Sequence, residues 1–256
     1  MKIAAFDFDG TIYFPDGLAP DIAEAIAEWQ AAGNMAVAAT GKSYNEAYRA
    51  LAGSGVEFDY SILATGAVIA DKNRQVVHHA GLDRETVAQL VHGLVGNPGT
   101  NVYGISSTGL DYCFRECVIT ADTGVITEVA YASPEAIPDQ DFVAVATWTP
   151  DNPQVQDAIH RWARENFAVE STKNQGFVDI LPAGTTKGNG VEWVAQHAGW
   201  DREEMEIYSF GDSWNDLSMF RLSRQAFSFP WAPRDVQEAA GTVVGSAAEG
   251  LRRLLA

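Results

Sequence analysis

The segment Lys2–Phe6, Lys-Ile-Ala-Ala-Phe, constrains this 256-residue chain more than any other. After its first residue it is apolar without alternation, as in a strand buried on both faces. Such a strand has no side to offer water, so its sheet must be covered by helices above and below. The pattern recurs. Met35–Ala39 and residues 61–64 read as further buried strands. Residues 20–32 predict a helix with Ile22, Ala25, Ile26 and Trp29 on one stripe and Gly33 as its stop, and residues 44–51 predict a second helix. Strand–helix–strand alternation of this kind predicts a Rossmann-like parallel sheet.

The middle of the chain differs. A helix is expected at 84–95, then short strands at 102–105, 112–115, 127–131 and 142–146, a helix at 154–166 and a strand at 176–181. Turn-rich tripeptides such as Asn97-Pro98-Gly99 separate them, which suggests an α+β insert. Alternation resumes after Lys187, with a helix at 188–197, a strand at 205–210, a helix from Ser213, a strand at 225–229 and a final helix through Leu255. The expected architecture is an α/β core from residues 1–81 and 181–256 with an α+β cap domain, 82–180, inserted in it.

Composition narrows the function. The apolar fraction of 46% and charged fraction of 20% are those of an ordinary globular protein. A formal charge of −17 argues against DNA or RNA as partners, because binding them requires many lysines and arginines to neutralise phosphates. It permits a small anionic substrate if a cation and a few positioned donors offset charge locally. No apolar run reaches the ~18 residues of a membrane span. The N-terminus meets acid at Asp7, too early for a secretory leader, so a cytoplasmic protein is expected. Cys113 and Cys117 have no histidine pair near them and read as reduced thiols rather than zinc ligands.

The residues that can carry chemistry follow the buried strands. Asp7-Phe8-Asp9-Gly10-Thr11 succeeds the first strand, and ligands of open α/β sheets bind beyond strand carboxyl ends. Asp7 and Asp9 are two apart, so in extended chain both address one side. Gly10 lets backbone N–H groups come close to an anion. Gly211-Asp212-Ser213-Trp214-Asn215-Asp216 likewise follows a buried strand and opens a helix, which places Asp212 near the N-cap and Asp216 a turn further on. Two strand-end acidic clusters converging on one sheet edge would offer the oxygen ligands that Mg²⁺ takes. Thr40-Gly41-Lys42 ends the strand at 35–39, and Lys187 stands at a helix start where N–H groups and the helix dipole favour an anion.

These four segments, in this order, resemble the haloacid dehalogenase superfamily of phosphohydrolases. The position of the insert between Thr40 and Lys187 resembles the Cof-like branch. The resemblance implies a Mg²⁺-dependent phosphatase acting on a small phosphorylated metabolite, a sugar phosphate or similar phosphomonoester. In that family pattern Asp7 attacks phosphorus to form an aspartyl-phosphate, and Asp9 protonates the leaving oxygen and then activates water. Gly10, Thr11, Thr40, Gly41, Lys187 and Asn215 hold the phosphoryl group. The metal is held by Asp7, the Asp9 carbonyl and Asp212, with Asp216 supporting or joining them. A cation suits this chemistry, because a bare carboxylate and a phosphate dianion repel each other.

Three positions depart from the Cof-like pattern. Lys42 stands where an arginine is usual, Thr65-Gly66 replaces Asn-Gly, and Phe229-Pro230-Trp231-Ala232-Pro233 replaces a Gly-Asn-Ala turn. All three touch the expected rim of the site. Trp148, His160, Lys173 and Asn174 are polar or amphipathic residues of the insert to which the sequence assigns no role. A phosphomutase and a catalytically silent phospho-ligand-binding regulator are alternatives on the same scaffold.

Overall fold

The computed structural model describes residues 2–118, 126, 128–174, 176–200 and 205–255. The chain opens with β1 (Lys2–Phe6), a short hairpin of β2 (Tyr13–Phe14) and β3 (Gly17–Leu18), α1 (Ile22–Ala31), β4 (Met35–Ala39) and α2 (Tyr44–Ala50). It continues through β5 (Tyr60–Leu63), a 3₁₀ turn at Ala64–Gly66, β6 (Val68–Asp71) and β7 (Val76–His79). Then come α3 (Arg84–Leu94), β8 (Asn101–Ser106), β9 (Asp111–Arg115), β10 (Val129–Tyr131) and β11 (Phe142–Trp148). These are followed by α4 (Pro153–Asn166), β12 (Val169–Asn174) and β13 (Phe177–Pro182). The last stretch holds α5 (Lys187–His197), β14 (Glu206–Phe210), a 3₁₀ turn at Trp214–Asp216, α6 (Leu217–Phe220), β15 (Gln225–Phe227), α7 (Arg234–Ala240) and α8 (Ala247–Leu255).

Two large sheets result. The first has the order β15-β14-β1-β4-β5-β6-β7, and the second β10-β9-β8-β11-β13-β12. In the first, the five strands from β15 to β5 run parallel, as the unbroken apolar runs predict. Strands β6 and β7 then return antiparallel, so the sheet is mixed. That hairpin was not expected. Its signal is Val68-Ile69-Ala70 and Val76-Val77 around the turn-forming Asp71-Lys72-Asn73, where the Asp71 carboxylate accepts the N–H groups of Asn73 and Gln75 at 2.9 Å. The second sheet carries α3 and α4 packed on it and is antiparallel except for the β9–β10 pair.

Register places the chemistry. Phe6, Phe210 and Phe227 lie opposite one another on β1, β14 and β15. Their rings stack at 4.8 and 4.7 Å. Each such pair is worth about 0.5–1.5 kcal/mol beyond its burial. A slip of one residue would turn a phenylalanine to the other face, so the ladder fixes which residues emerge together at the sheet's carboxyl edge. Those residues are Asp7 after Phe6 and Gly211-Asp212 after Phe210.

The expected final helix is two helices. Gly241, with φ at +73°, stops α7 in a left-handed cap, and a parallel bridge between Ser228 and Val243 follows before α8 begins. The strand expected at 127–131 is Val129–Tyr131; residue 127 lies outside the described residues.

Candidate active site

Asp7, Asp212 and Asp216, from the two strand ends, come together, with one carboxylate oxygen of each within 4.8 Å of the others. All three are buried. Lys187, first residue of α5, is fully enclosed and sends its ammonium to Asp7 Oδ1 at 2.5 Å and Asp216 Oδ1 at 2.7 Å. Its helix begins there because the Thr186 side chain caps it, accepting the Asn189 N–H at 3.1 Å. The second carboxylate oxygen of Asp216 accepts the N–H groups of Asp212 and Ser213, both at 3.0 Å. Ser213, not Asp212, is thus the N-cap of the Trp214–Asp216 turn, and Asp212 is released to face Asp7. Both oxygens of Asp216 have partners, so it holds Lys187 and the loop in place. Asp212 Oδ1, by contrast, is buried without a partner.

Charge in this cluster is unbalanced: three buried carboxylates face one lysine. Burial pushes Asp7 well above the usual carboxylate range, with the Asp216 and Asp212 charges adding to the rise and Lys187 opposing it. Burial, then Asp216, pushes Asp212 up to about 7. Burial works against the Lys187 charge, but Asp216 and Asp7 outweigh it and raise the lysine. A divalent cation at the free oxygens of Asp7 and Asp212 would remove the imbalance, and these hard oxygen donors suit Mg²⁺.

The turn after Asp9 is shaped by that cluster. Gly10 has φ at +79°, and a Cβ there would lie 2.1 Å from Asp212 Oδ2. Glycine is needed so that the Asp9-Gly10 backbone can lie against Asp212. The Gly10 and Thr11 N–H groups donate to the Tyr13 and Phe8 carbonyls at 3.0 Å, which closes the turn instead of presenting them to an anion. What Thr11 offers is its hydroxyl, which is buried and unpartnered.

Donors gather on the opposite side. Thr40 is fully buried, and its hydroxyl oxygen accepts the Lys42 N–H at 3.1 Å, which leaves the hydroxyl proton to donate elsewhere. A Cβ on Gly41 would sit 3.5 Å from Thr65 Oγ1, 3.6 Å from Asn174 Nδ2 and 3.8 Å from Asn215 Nδ2, so three polar side chains converge there. Both polar atoms of the Asn215 side chain are buried without a partner.

The three departures from the family pattern each have a place. Lys42 is buried, pairs with Asp9 Oδ1 at 3.0 Å and lies 5.3 Å from the Tyr13 ring centre. Thr65 adopts φ +57°, an unusual conformation for a β-branched residue, and its hydroxyl donates to Asp179 Oδ2 of β13 at 3.0 Å. Trp231 donates its indole N–H to the Gly10 carbonyl at 2.7 Å and stacks on Phe229, with Phe14 against its edge.

A cleft opens between the two sheets beside Asp9, and the second sheet forms its roof. The tip of the β8–β9 hairpin is tied down by the Asn45 amide, which donates to the Gly109 carbonyl. Of the insert residues without an assigned role, only Asn174 reaches the cleft. Lys173 pairs with Asp157 at 2.7 Å, His160 meets Ser171 at 3.1 Å, and Trp148 packs on Phe177 at 4.5 Å. Sequence reasoning missed Asp111 and Asp179, which line the cleft. Their signal was an acid beside or within an otherwise apolar strand, Leu110-Asp111-Tyr112-Cys113-Phe114 and Phe177-Val178-Asp179-Ile180-Leu181, where burial of a charge asks for a reason.

Comparison with known proteins agrees with this architecture. The family of haloacid dehalogenase-like hydrolases matches residues 4–253. A solved haloacid dehalogenase subclass IIB sugar phosphatase superposes with TM-score 0.83 at 19% identity, covering 99% of each chain. A haloacid dehalogenase-like hydrolase from B. subtilis superposes with TM-score 0.86 at 18% identity, over 99% of this chain and 100% of that one. Among curated proteins, a Schizosaccharomyces pombe uncharacterized hydrolase is 28% identical over 69 residues, and the match spans about a fifth of that protein, 22% of its length and 27% of this chain. A Haemophilus influenzae protein is 24% identical over 192 residues, 71% of this chain and 69% of that one.

Proposed function

The chain belongs to the haloacid dehalogenase-like hydrolases, and on that premise we propose that it is a Mg²⁺-dependent phosphatase of small phosphomonoesters with Asp7 as nucleophile. The observation that carries this is the buried Asp7 carboxylate at a strand end, held by Lys187 at 2.5 Å and facing the unpartnered Asp212 oxygen. Asp7, the Asp9 carbonyl and Asp212 would hold Mg²⁺, which would supply the positive charge that lets a carboxylate and a phosphate approach. Asp216 fixes Lys187 and the Asp212 loop.

An oxygen of Asp7 forms a bond to phosphorus as the bond to the ester oxygen breaks. Charge spreads over the three equatorial oxygens during transfer, so donors fixed in advance are what the site must provide. Lys187, the Thr40 hydroxyl, the Asn215 amide and the Thr11 hydroxyl would supply these donors. Asp9, a third exposed at the cleft floor, gives its proton to the leaving oxygen and then takes one from the water that cleaves the aspartyl-phosphate. The Lys42 ammonium, 3.0 Å from Asp9 Oδ1, orients that carboxyl toward the cleft. The roof of the cleft excludes bulk water from the intermediate.

The test is phosphate release from p-nitrophenyl phosphate. Activity is expected with Mg²⁺, lost in EDTA and restored by Mg²⁺, with Ca²⁺ a poor substitute because its looser coordination misplaces the nucleophile. Asp7→Asn is expected to abolish turnover while the protein stays folded by circular dichroism. Full turnover in chelator, or an active Asp7→Asn protein, would overturn the proposal.

A further inference from the structure

The cleft beside Asp9 carries more acid than its chemistry requires. Asp9, Glu46, Asp111 and Asp179 line it, with Lys42 as the only lining cation among the described residues. Two of these acids are spoken for: Asp9 by Lys42 at 3.0 Å, and Glu46 by the Arg49 guanidinium. Asp111 and Asp179 have only neutral partners among the described residues. Asp111 is 2% exposed, and its Oδ1 accepts the Ser106 N–H at 3.0 Å. Asp179 accepts the Thr65 hydroxyl at 3.0 Å and keeps part of its surface open to the cleft while protein surrounds it. Lys187 is close enough to be felt by Asp179, yet its ammonium is committed to Asp7 and Asp216.

The rest of the described lining is uncharged: Ile105, Ile126, Ala146 and Phe177 are apolar, and Ser43 and Asn174 are neutral polar residues. A carboxylate in such surroundings is costly unless a donor or a cation meets it, and burial pushes both Asp111 and Asp179 up to about 6. No three of the pocket acids draw together as Asp7, Asp212 and Asp216 do, which are the one such acidic group among the described residues. Thr65 is held in the left-handed conformation at φ +57° with its hydroxyl on Asp179, so the fold fixes that acid at some conformational cost.

We propose that the cleft selects phosphomonoesters whose leaving group carries an ammonium beside its hydroxyls, an amino-sugar phosphate or close analogue, and rejects leaving groups with a second phosphate or a carboxylate. This rests on the phosphatase reading above. The phosphoryl end is served by Lys187 and the metal cluster, whereas the leaving group meets Asp111 and Asp179. An ammonium there forms hydrogen bonds with charge on both partners to carboxylates that otherwise accept only from neutral donors. A second anion meets four acids and one already engaged lysine, which also disfavours the bisphosphates a mutase must hold.

The Mg²⁺-loaded enzyme is assayed on glucosamine 6-phosphate, glucose 6-phosphate, 6-phosphogluconate and fructose 1,6-bisphosphate, with p-nitrophenyl phosphate alongside. The expected kcat/KM for the amine is roughly ten-fold or more above its hydroxyl counterpart, about the effect of one charge-assisted hydrogen bond. The carboxylate and bisphosphate are expected to be the poorest. Asp179→Asn and Asp111→Asn each keep side-chain volume and hydrogen-bond acceptance, and each is expected to shrink the amine-to-hydroxyl ratio toward one. A separate arm needs no turnover: in Asp7→Asn protein with Mg²⁺, glucosamine 6-phosphate should raise the melting temperature more than glucose 6-phosphate. Equal ratios in wild type, or equal thermal shifts in the Asp7→Asn protein, overturn the selectivity inference even if p-nitrophenyl phosphate is hydrolysed. Failure to hydrolyse p-nitrophenyl phosphate alongside a larger shift with the amine overturns the phosphatase reading and leaves the selectivity standing.

Discussion

Replacing Lys187 by methionine tests how the site is held together. Lys187 is fully buried and, among the described residues, is the one cation within ion-pair distance of both Asp7, at 2.5 Å, and Asp216, at 2.7 Å. Methionine fills similar space without charge, so three buried carboxylates are left facing one another. Removing one partner of a buried ion pair costs about 3–5 kcal/mol. For a chain of this size each kcal/mol moves the melting temperature by about 2–4 °C, so a drop of roughly 6–20 °C is expected in EDTA at pH 8. The loss depends on pH with a definite sign. Asp7 and Asp212 both titrate higher in the folded protein than the ordinary 3.8, and Asp212 does so at about 7. The folded state therefore takes up these protons first as pH falls, and the negative charge that Lys187 offsets disappears. The deficit of the variant should be largest above pH 7 and shrink towards pH 5. Added Mg²⁺ should recover part of it at pH 8. Scanning calorimetry of both proteins at pH 8, 6.5 and 5, with EDTA and with Mg²⁺, reads all of this. A deficit equal at pH 8 and pH 5, or absent at both, would refute the electrostatic account of the cluster.

Asp9→Asn should separate the two chemical steps: nitrophenolate leaves without a proton, so a burst of nitrophenol followed by slow dephosphorylation is expected, whereas alkyl and sugar esters lose even the burst. Stopped-flow absorbance checks this, and loss of the burst on both kinds of ester with Mg²⁺ binding intact would mean that the proton comes from another donor. Trp231→Phe keeps the ring against Phe229 but loses the 2.7 Å bond to the Gly10 carbonyl, so a fall in melting temperature of about 2–4 °C is expected, corresponding to roughly 1 kcal/mol. Trp231→Ala, which also gives up the contacts to Phe14 and Phe229, should fall further, and equal falls would deny the indole N–H a role.

The convergence of the candidate site was legible in the sequence because it is written in short, local patterns. Asp7-Phe8-Asp9-Gly10-Thr11 and Gly211 to Asp216 each follow an apolar strand, and the rule that parallel strands expose their carboxyl ends together brings both to one place without knowledge of side-chain contacts. The parallel half of the core sheet was legible for the same reason. What escaped depends on the placement of two sheets relative to each other. Nothing near Asp111 or Asp179 in the sequence says that the β8–β9 hairpin reaches α2, or that β13 lies over Thr65. The β6–β7 hairpin was lost because each strand has only four residues and neither alternates: β6 is buried over Val68–Ala70, and β7 is half-buried to exposed along its length. Thr65 and Trp231 stood out only as departures from a family pattern, and the contacts that explain them lie 114 and 221 residues away along the chain.

The surplus of acid in this protein therefore has two separable consequences. On the surface, a charge of −17 repels polyanions and says little about a small substrate. Inside, acid is divided between two neighbouring places with opposite demands. At the sheet edge, Asp7, Asp212 and Asp216 are close enough to hold a cation, and with Lys187 and a divalent ion there the place would suit a phosphate. In the cleft, Asp111 and Asp179 are enclosed by protein and meet only neutral donors among the described residues. The first place attracts the anionic end of a substrate and the second attracts a cationic or hydroxyl-rich end. A molecule carrying both, in that order, fits the polarity of the site along its whole length, whereas one with a second anion fits only its first half.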